Sequence, residues 1–338
     1  MTTETPASHE SRSADRTDAQ DQSGWQILVR ILRKGTIVWV LLLLMVIAHI
    51  ATPDFLTVDN LLNVTRQTAL IGILGVGMTF VILTAGIDLS VGSVVSVVSV
   101  VSATLLLGGY PIPLVLFGGL AVGAVLGALN GLGVTLARVP PFIMTLGMLT
   151  AGQGLALTFS NGQPVGAGQA ASSLEWLNSG SMLGISTPIW VFVVVAILAA
   201  FVLRRTTFGR RVYAVGDNAE AARLSGINVS RTVFSVYVIA GALAGLTGLI
   251  YLARLTVGEP TAGQLLELDA IAIVVIGGTA LFGGQGGIGG TVVGAAIVSV
   301  LSNLLNLLGV SPFTQDIVKG AIIVAAVVLE RIQHRRRG

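Results

Sequence analysis

From residue 36 onward the chain is a succession of apolar runs, most of them close to 20 residues long, separated by short polar breaks. A bilayer hydrocarbon core of about 30 Å is crossed by a helix of about 20 mostly apolar residues. The pattern therefore predicts spans near 36–52, 61–85, 89–108, 111–136, 140–160, 188–204, 231–254, 265–283, 288–309 and 312–331. The break at 85–90 is only a few residues long, so eight or nine spans is the alternative count. Residues 1–24 differ: they are polar, unpatterned and mixed in charge, with Glu4, Glu10, Asp15, Asp18 and Asp21 among the acids. Such a stretch buries too little apolar surface to offset ordering, which predicts a disordered tail. It also lacks the basic start and short apolar core of a secretory signal. The expected organisation is a tail, 1–24, and a single membrane domain, 25–338.

Composition narrows the class. The 338 residues are 53% hydrophobic and 10% charged, whereas soluble domains carry about a quarter charged residues. With no cysteine, a disulfide framework, a thiolate metal site and a catalytic thiol are all excluded. The three histidines, His9, His49 and His334, are scattered and do not suggest a metal site. A net charge of +3 would fit nucleic acid, but the positions of the bases point to membrane orientation instead. Arg30, Arg33 and Lys34 precede the first span, and Arg138 separates the fourth from the fifth. Arg204, Arg205, Arg210, Arg211, Arg223 and Arg231 crowd the connection after the sixth, and Arg331, Arg335, Arg336 and Arg337 end the chain. With ten spans all of these share one face, cytoplasmic by the positive-inside rule, and both termini lie there. Arg66, Arg254 and Lys319 dissent, each near the outer end of a span where a long side chain can snorkel.

Several strings could carry chemistry. The phosphate-cradling pattern Gly-x-x-x-x-Gly-Lys-Ser/Thr is absent. Residues 284–289 match Gly-x-Gly-x-x-Gly, but neither the preceding strand nor the following acid of a dinucleotide site accompanies them. A tight cytoplasmic turn between the eighth and ninth spans is the expected role of these glycines. Asp88 lies in an apolar stretch, where a carboxylate must face protein or water. Either it contacts a substrate or proton inside the bundle, or it caps the next helix through the amides of Ser90 or Val91, with Gly86 allowing the break. Ser93, Ser96, Ser99 and Ser102 follow at every third position, lining a polar path or bonding back to their own carbonyls. Glu267 and Asp269 open the eighth span, as macrodipole partners or as a polar outer gate. Gly119, Gly123, Gly127 and Gly131 form a close-packing stripe, repeated by Gly241 with Gly245 and Gly290 with Gly294.

The basic connection 204–231 is the longest hydrophilic one on its face. Asp217 or Asn218 can cap a helix over Ala219, Glu220, Ala221, Ala222, Arg223 and Leu224, which Ser225 and Gly226 end. Two turns are too few to be stable alone, so the bundle or a partner must hold them. On the opposite face, Glu175 and Trp176 lie in the largest outer loop, 161–187, and Trp176 is either an interfacial anchor or a contact for an external protein.

Four strings, LTAGIDLSVGS (83–93), ALNGLGVTLARVPPFIMTLGML (128–149), TTFGRRVYAVGDNAEAARLSGI (206–227) and ELDAIAIVVIGGTALFGGQGGIGGTVVGA (267–295), occur in an order that resembles permease subunits of ATP-binding-cassette importers of the ribose and simple-sugar branch. The resemblance implies an all-α type II importer fold of about ten transmembrane helices, in a homodimer with the path at its centre. It also implies a separate ATP-binding subunit that carries ATP and magnesium, an extracytoplasmic sugar-binding protein, and no catalytic residue or cofactor on this chain. Residues 217–226 would be the helix that docks on the ATPase. The path or helix-break residues would include Gly86, Asp88, Ser90, Ser93, Asn130, Glu267 and Asp269, with Thr84, Gln153 and Gln264 as uncharged lining. A proton-coupled carrier, a passive channel and an importer of another small polar solute, such as a branched-chain amino acid, are the competing readings. A carrier would rely on Asp88, Glu267 or Asp269 to move the proton.

Overall fold

The computed structural model describes residues 36–335; the tail 1–24 and the bases Arg30, Arg33 and Lys34 lie outside them. The helices are α1 (Thr36–Ala51), α2 (Val58–Leu83), α3 (Val91–Leu107), α4 (Ile112–Thr135), α5 (Pro141–Phe159), α6 (Thr187–Arg205), α7 (Thr207–Asp217), α8 (Ala219–Leu224), α9 (Val229–Leu255), α10 (Leu266–Ile276), α11 (Ile288–Leu307) and α12 (Pro312–Arg335). Among the described residues, α2, α4, α5, α6, α9 and α11 are long and apolar enough to cross a membrane on length and composition alone, and α1 and α3 are shorter apolar helices. A helix occupies each of the ten predicted segments.

The eighth segment departs from expectation. Instead of a span over 265–283, α10 has 11 residues, about 16 Å at 1.5 Å per residue, roughly half a bilayer core. The preceding chain supplies the rest of the crossing. Val257–Gly258 pairs with Val165–Gly166 of the loop 161–187 in a short antiparallel ladder. The chain then retraces α3, with Gly258 against Ser99 and Ala103 and Gly263 against Gly92. Ser96 Oγ accepts from the Gly263 amide at 3.0 Å, and Gln153 Nε2 donates to the Pro260 carbonyl at 3.0 Å. Non-helical backbone survives at this depth because protein side chains satisfy it. After α10, the segment 277–287 turns sharply, with positive φ at Gly278, Gly283, Gly284 and Gly286, as expected of a glycine-rich connection.

The bundle is built around α2, which is buried without interruption from Ala69 to Leu83. A helix that is apolar all round belongs at the centre rather than against solvent. The largest helix interface joins α4 to α9. There the two predicted glycine stripes meet each other: Gly123 faces Gly245 and the Gly241 carbonyl, and Gly127 faces Gly241 and the Tyr237 carbonyl. Gly290 and Gly294 likewise press on Gly277 and the Ile273 carbonyl of α10. All three stripes are therefore consumed inside one chain, where missing side chains let backbones touch. At one edge, α1 packs through Ala48 against Val300 and Leu304 of α11.

Candidate functional site: a helix break, a polar vestibule and a basic connection

Five of the seven predicted path or break residues converge where α2 gives way to α3. Ala85, not Gly86, takes the left-handed conformation (φ 58°). Gly86 is needed for a different reason, since a Cβ there would press on the Tyr237 hydroxyl. Asp88 Oδ1 accepts from the Ser90 amide at 2.8 Å and from Ser90 Oγ at 2.6 Å. Ser90 Oγ in turn accepts from Asn130 Nδ2 at 2.7 Å. The Ile87 carbonyl takes hydrogen bonds from Thr145 Oγ1 at 3.2 Å and Tyr237 OH at 3.4 Å. Three helices thus clamp one short loop, and Asp88 is 1% exposed. Asp88 holds the amide that opens α3, the geometry of an Asx turn at a helix start. Asn130 Oδ1 is buried in the same network without a hydrogen-bond partner among the described residues.

The serine row does not form one lining. A step of three residues turns a helix by about 300°, so successive serines drift round its circumference. Ser93 meets Gly152 of α5, Ser96 meets Gly263, and Ser102 meets Gly119 of α4. All four are buried, and the Ser99 and Ser102 hydroxyls lack partners among the described residues.

Glu267 and Asp269 lie apart from this network, in the first turn of α10. Glu267 is buried with its carboxylate beside Gly92. Asp269 Oδ2 pairs with Lys319 Nζ of α12 at 3.1 Å. Lys319 therefore does not snorkel: a carboxylate within reach offsets the cost of partly burying the ammonium. Asp269 and Lys319 line a cavity of about 490 Å³ together with Gln67, Arg254, Gln264 and Asp316. A second cavity of about 370 Å³ adjoins it through Gln67, Leu70, Arg254 and Asn306. Asn60, Asn63, Arg66, Asn178 and Asn303 line this second chamber. The two form a polar vestibule at the end of the bundle opposite the connection 204–231. Gln264 thus lines an open space, whereas Thr84 is buried with its hydroxyl bonded to the Val81 carbonyl.

At the other end the basic connection contains two helices where one was expected. In α7, Phe208, Val212 and Val215 recur at i, i+4 and i+7, a spacing that signals a buried face. The Phe208 ring stacks on Phe80 of α2 at 6.4 Å between centroids. Tyr213 OH donates to the Gly286 carbonyl at 3.0 Å. Gly216 sits against the Leu83 carbonyl and the Gly284 amide so closely that no Cβ could enter. The Gly284 amide itself donates to the Leu83 carbonyl at 3.1 Å. The end of α7 therefore touches both the α2–α3 break and the turn after α10.

Asn218, rather than Asp217, caps α8, its side chain accepting from the Ala221 amide at 2.9 Å, because Asp217 is the last residue of α7. The other end closes as a Schellman motif, with Gly226 N donating to Arg223 O and Ile227 N to Ala222 O, both at 3.0 Å. Only Ala222 of α8 is buried, and Leu224 is 76% exposed. Arg223 pairs with Glu220, which holds that carboxyl below its ordinary range. The result is a two-turn projection, capped at both ends, with Leu224 exposed at its tip and Ala222 buried against the bundle.

Sequence reasoning missed the Asn60–Asn303 pair, whose amides exchange hydrogen bonds at 2.9 and 2.7 Å across 243 residues. The signal was available, since an asparagine inside an apolar span needs a partner.

Residues 60–327 match the family model described as branched-chain amino acid transport system / permease component. The chain is 44% identical over 292 residues to the ribose import permease protein RbsC of Escherichia coli (strain K12), covering 86% of this chain and 91% of the relative. It is 44% identical over 291 residues to ribose import permease protein RbsC of Bacillus subtilis (strain 168), covering 86% and 90%. The xylose transport system permease protein XylH of Escherichia coli (strain K12) is 37% identical over 342 residues, covering 83% and 87%. No solved structure matches at a comparable level of significance.

Proposed function

The chain belongs to the family of permease components of ATP-binding-cassette importers, and we propose that it conducts a pentose, ribose first among them, into the cytoplasm. It is a multi-pass membrane protein and not an enzyme, and an importer of this kind implies an ATP-binding subunit and a substrate-binding protein. The family description names branched-chain amino acids, but the relatives reported above are named for ribose and xylose.

The observation that carries the reading is α8. A helix of six residues, capped at both ends and presenting Ala219, Ala221, Arg223 and Leu224 outward, contributes little to the core and leaves most of its surface free for a partner. It suits insertion into a groove on the ATP-binding subunit, where ATP and magnesium are held. Closure of that subunit would push α8, and α7 would carry the displacement to Leu83 and Gly284. Those residues border the α2–α3 break and the turn after the half-helix α10, the irregular elements of the bundle. Broken helices are where transporters change shape between outward- and inward-facing states. The arginines of the connection 204–231 put α8, and with it both termini, on the cytoplasmic face. The vestibule then opens outward, towards a binding protein.

A second copy completes the path. Along α5, Gly147, Thr150, Ala151 and Gly154 share one exposed face. Lipid tails gain little from glycine and threonine, whereas another helix packs closely on them. A homodimer across this face would leave a weakly polar, uncharged passage between the copies, suited to a neutral polyol.

Reconstitution tests the reading. With a ribose-binding protein and the ATP-binding subunit, proteoliposomes should take up ribose only when ATP is supplied, and scrambling residues 217–226 should abolish both uptake and co-purification of the ATP-binding subunit. Uptake that persists without ATP or without that subunit would refute the assignment.

A further inference from the structure

The short hairpin before α6 carries an apolar tip in a conformation that its tip residue disfavours. Ser181–Met182 pairs with Ile185–Ser186 across the two-residue loop Leu183-Gly184. Both loop residues have positive φ, 57° at Leu183 and 77° at Gly184, the arrangement of a type I′ turn. Asparagine or glycine fits the first of these positions, whereas leucine is strained there by its Cβ. Leu183 gains little packing within the chain in return, because it is 86% exposed, and Met182 beside it is 58% exposed. A strained side chain with so little intramolecular contact points to a contact outside the chain.

Position, height and charge all favour lipid as that contact. Trp190 Nε1 donates to the Met182 carbonyl at 3.2 Å. Trp190 heads a stripe along α6, with Val194, Ile197 and Phe201 at i+4, i+7 and i+11, and these three are exposed. The hairpin therefore stands over the open apolar face of a membrane-spanning helix. Its height follows from the length of α6, whose 19 residues rise about 28 Å. Arg204 and Arg205 end α6 and belong outside hydrocarbon, so Thr187 at its start sits at the opposite boundary of a core about 30 Å thick. Thr187 holds the hairpin at that level, its amide and Oγ1 donating to the Gly180 carbonyl at 2.8 and 3.0 Å. Gly180 packs on the Trp176 carbonyl, which brings a second, half-exposed indole to the same boundary; tryptophan is enriched at such boundaries. Between Glu175 and Arg204 the chain carries no charged residue. We propose that the hairpin 181–186 is an interfacial anchor, with Met182 and Leu183 entering the headgroup boundary of the leaflet at the vestibule end. Arg66 Nε donates to Ser186 Oγ at 3.2 Å, so the anchor is tied to the central helix α2. The anchor is independent of the solute carried, and takes from the homodimer across α5 only that α6 is left to lipid.

Because the chain has no cysteine, a single thiol can be introduced and labelled with a bimane fluorophore. The full-length permease in nanodiscs carries the label at Leu183→Cys or at Met182→Cys. Ser225→Cys at the exposed end of α8 serves as the aqueous reference, and Val194→Cys on α6 as the lipid reference. Lipids bearing a nitroxide high on the acyl chain should quench the Leu183 and Met182 labels about as strongly as the Val194 label, and iodide should quench them about fivefold less than the Ser225 label, as entry into the headgroup boundary predicts. Leu183→Asn relieves the strained turn, so it should leave the thermal midpoint in detergent unchanged or higher, yet cut lipid quenching of the Met182 label by about half. That pairing separates anchoring from folding. Iodide quenching at the Ser225 level would overturn the anchor, and so would protection from iodide without quenching by lipid, the signature of a protein partner. Lipid quenching at Val194 alone would overturn the anchor and spare the lipid face of α6, whereas its absence at Val194 as well would overturn both.

Discussion

At Gly226 a side chain can be added without touching any other atom, because nothing lies within 4 Å of where its Cβ would stand. The residue nevertheless has φ +83°, which the Schellman bonds from the Gly226 and Ile227 amides require. Gly226→Ala therefore adds no clash and loses no contact; it imposes only the left-handed penalty of an L-residue, about 1–2 kcal/mol. If α8 must keep this end to seat on the ATP-binding subunit, docking loses the same free energy, and affinity should fall by about 5- to 30-fold. The side chain substituted should set the order. Asparagine tolerates the left-handed region and should lie between glycine and alanine, whereas valine, branched at Cβ, should be worst. The assay is the dissociation constant of the ATP-binding subunit for nanodisc-embedded permease, with thermal stability of the permease measured alongside. Stability should hardly change, because the turn is exposed and can open locally without disturbing the core, so that the penalty falls on docking, which closes it again. Equal affinities across glycine, asparagine, alanine and valine would refute the claim that α8 docks through a rigid end.

Two further outcomes follow from the packing. Lys319→Met should lower the thermal midpoint in detergent by leaving the Asp269 carboxylate, 14% exposed, without its cation. The loss should fall short of the about 3–5 kcal/mol of a fully buried pair, since Lys319 is 24% exposed; adding Asp269→Asn should recover part of it, and no recovery would mean that the pair is not the cause. Because the chain has no cysteine, Thr150→Cys introduces a single thiol on the open face of α5. Oxidation in membranes should cross-link two copies through it, whereas Val194→Cys on the exposed face of α6 should not; the reverse pattern would move the dimer interface to α6.

Local chemistry settled a good deal in advance. Apolar runs placed the helices within a few residues, since each run must reach across the same thickness of hydrocarbon. Asn218 and Gly226 marked the ends of α8, because a cap and a left-handed stop act on the backbone beside them. The Asp88–Ser90 turn was legible for the same reason.

What the sequence could not decide was which partner each apolar surface meets. Residues 265–283 read as one lipid-facing span because hydropathy sums local preference for leaving water. That sum does not distinguish a bed of protein from a bed of lipid. Packing on Gly92, Ser96 and Ser99 of α3 instead made the crossing from a non-helical stretch, 257–265, and a half-helix. The serine row looked like one polar stripe, yet a step of three residues spreads it over several neighbours. Asp269 found Lys319 at a separation of 50 residues, and Asn63, Gln67, Asn178 and Arg254 met at one chamber. Pattern along the chain thus determined the elements and their ends, through interactions of short range. The tertiary structure alone decided the vestibule and the half-helix, because both depend on contacts between residues far apart in sequence.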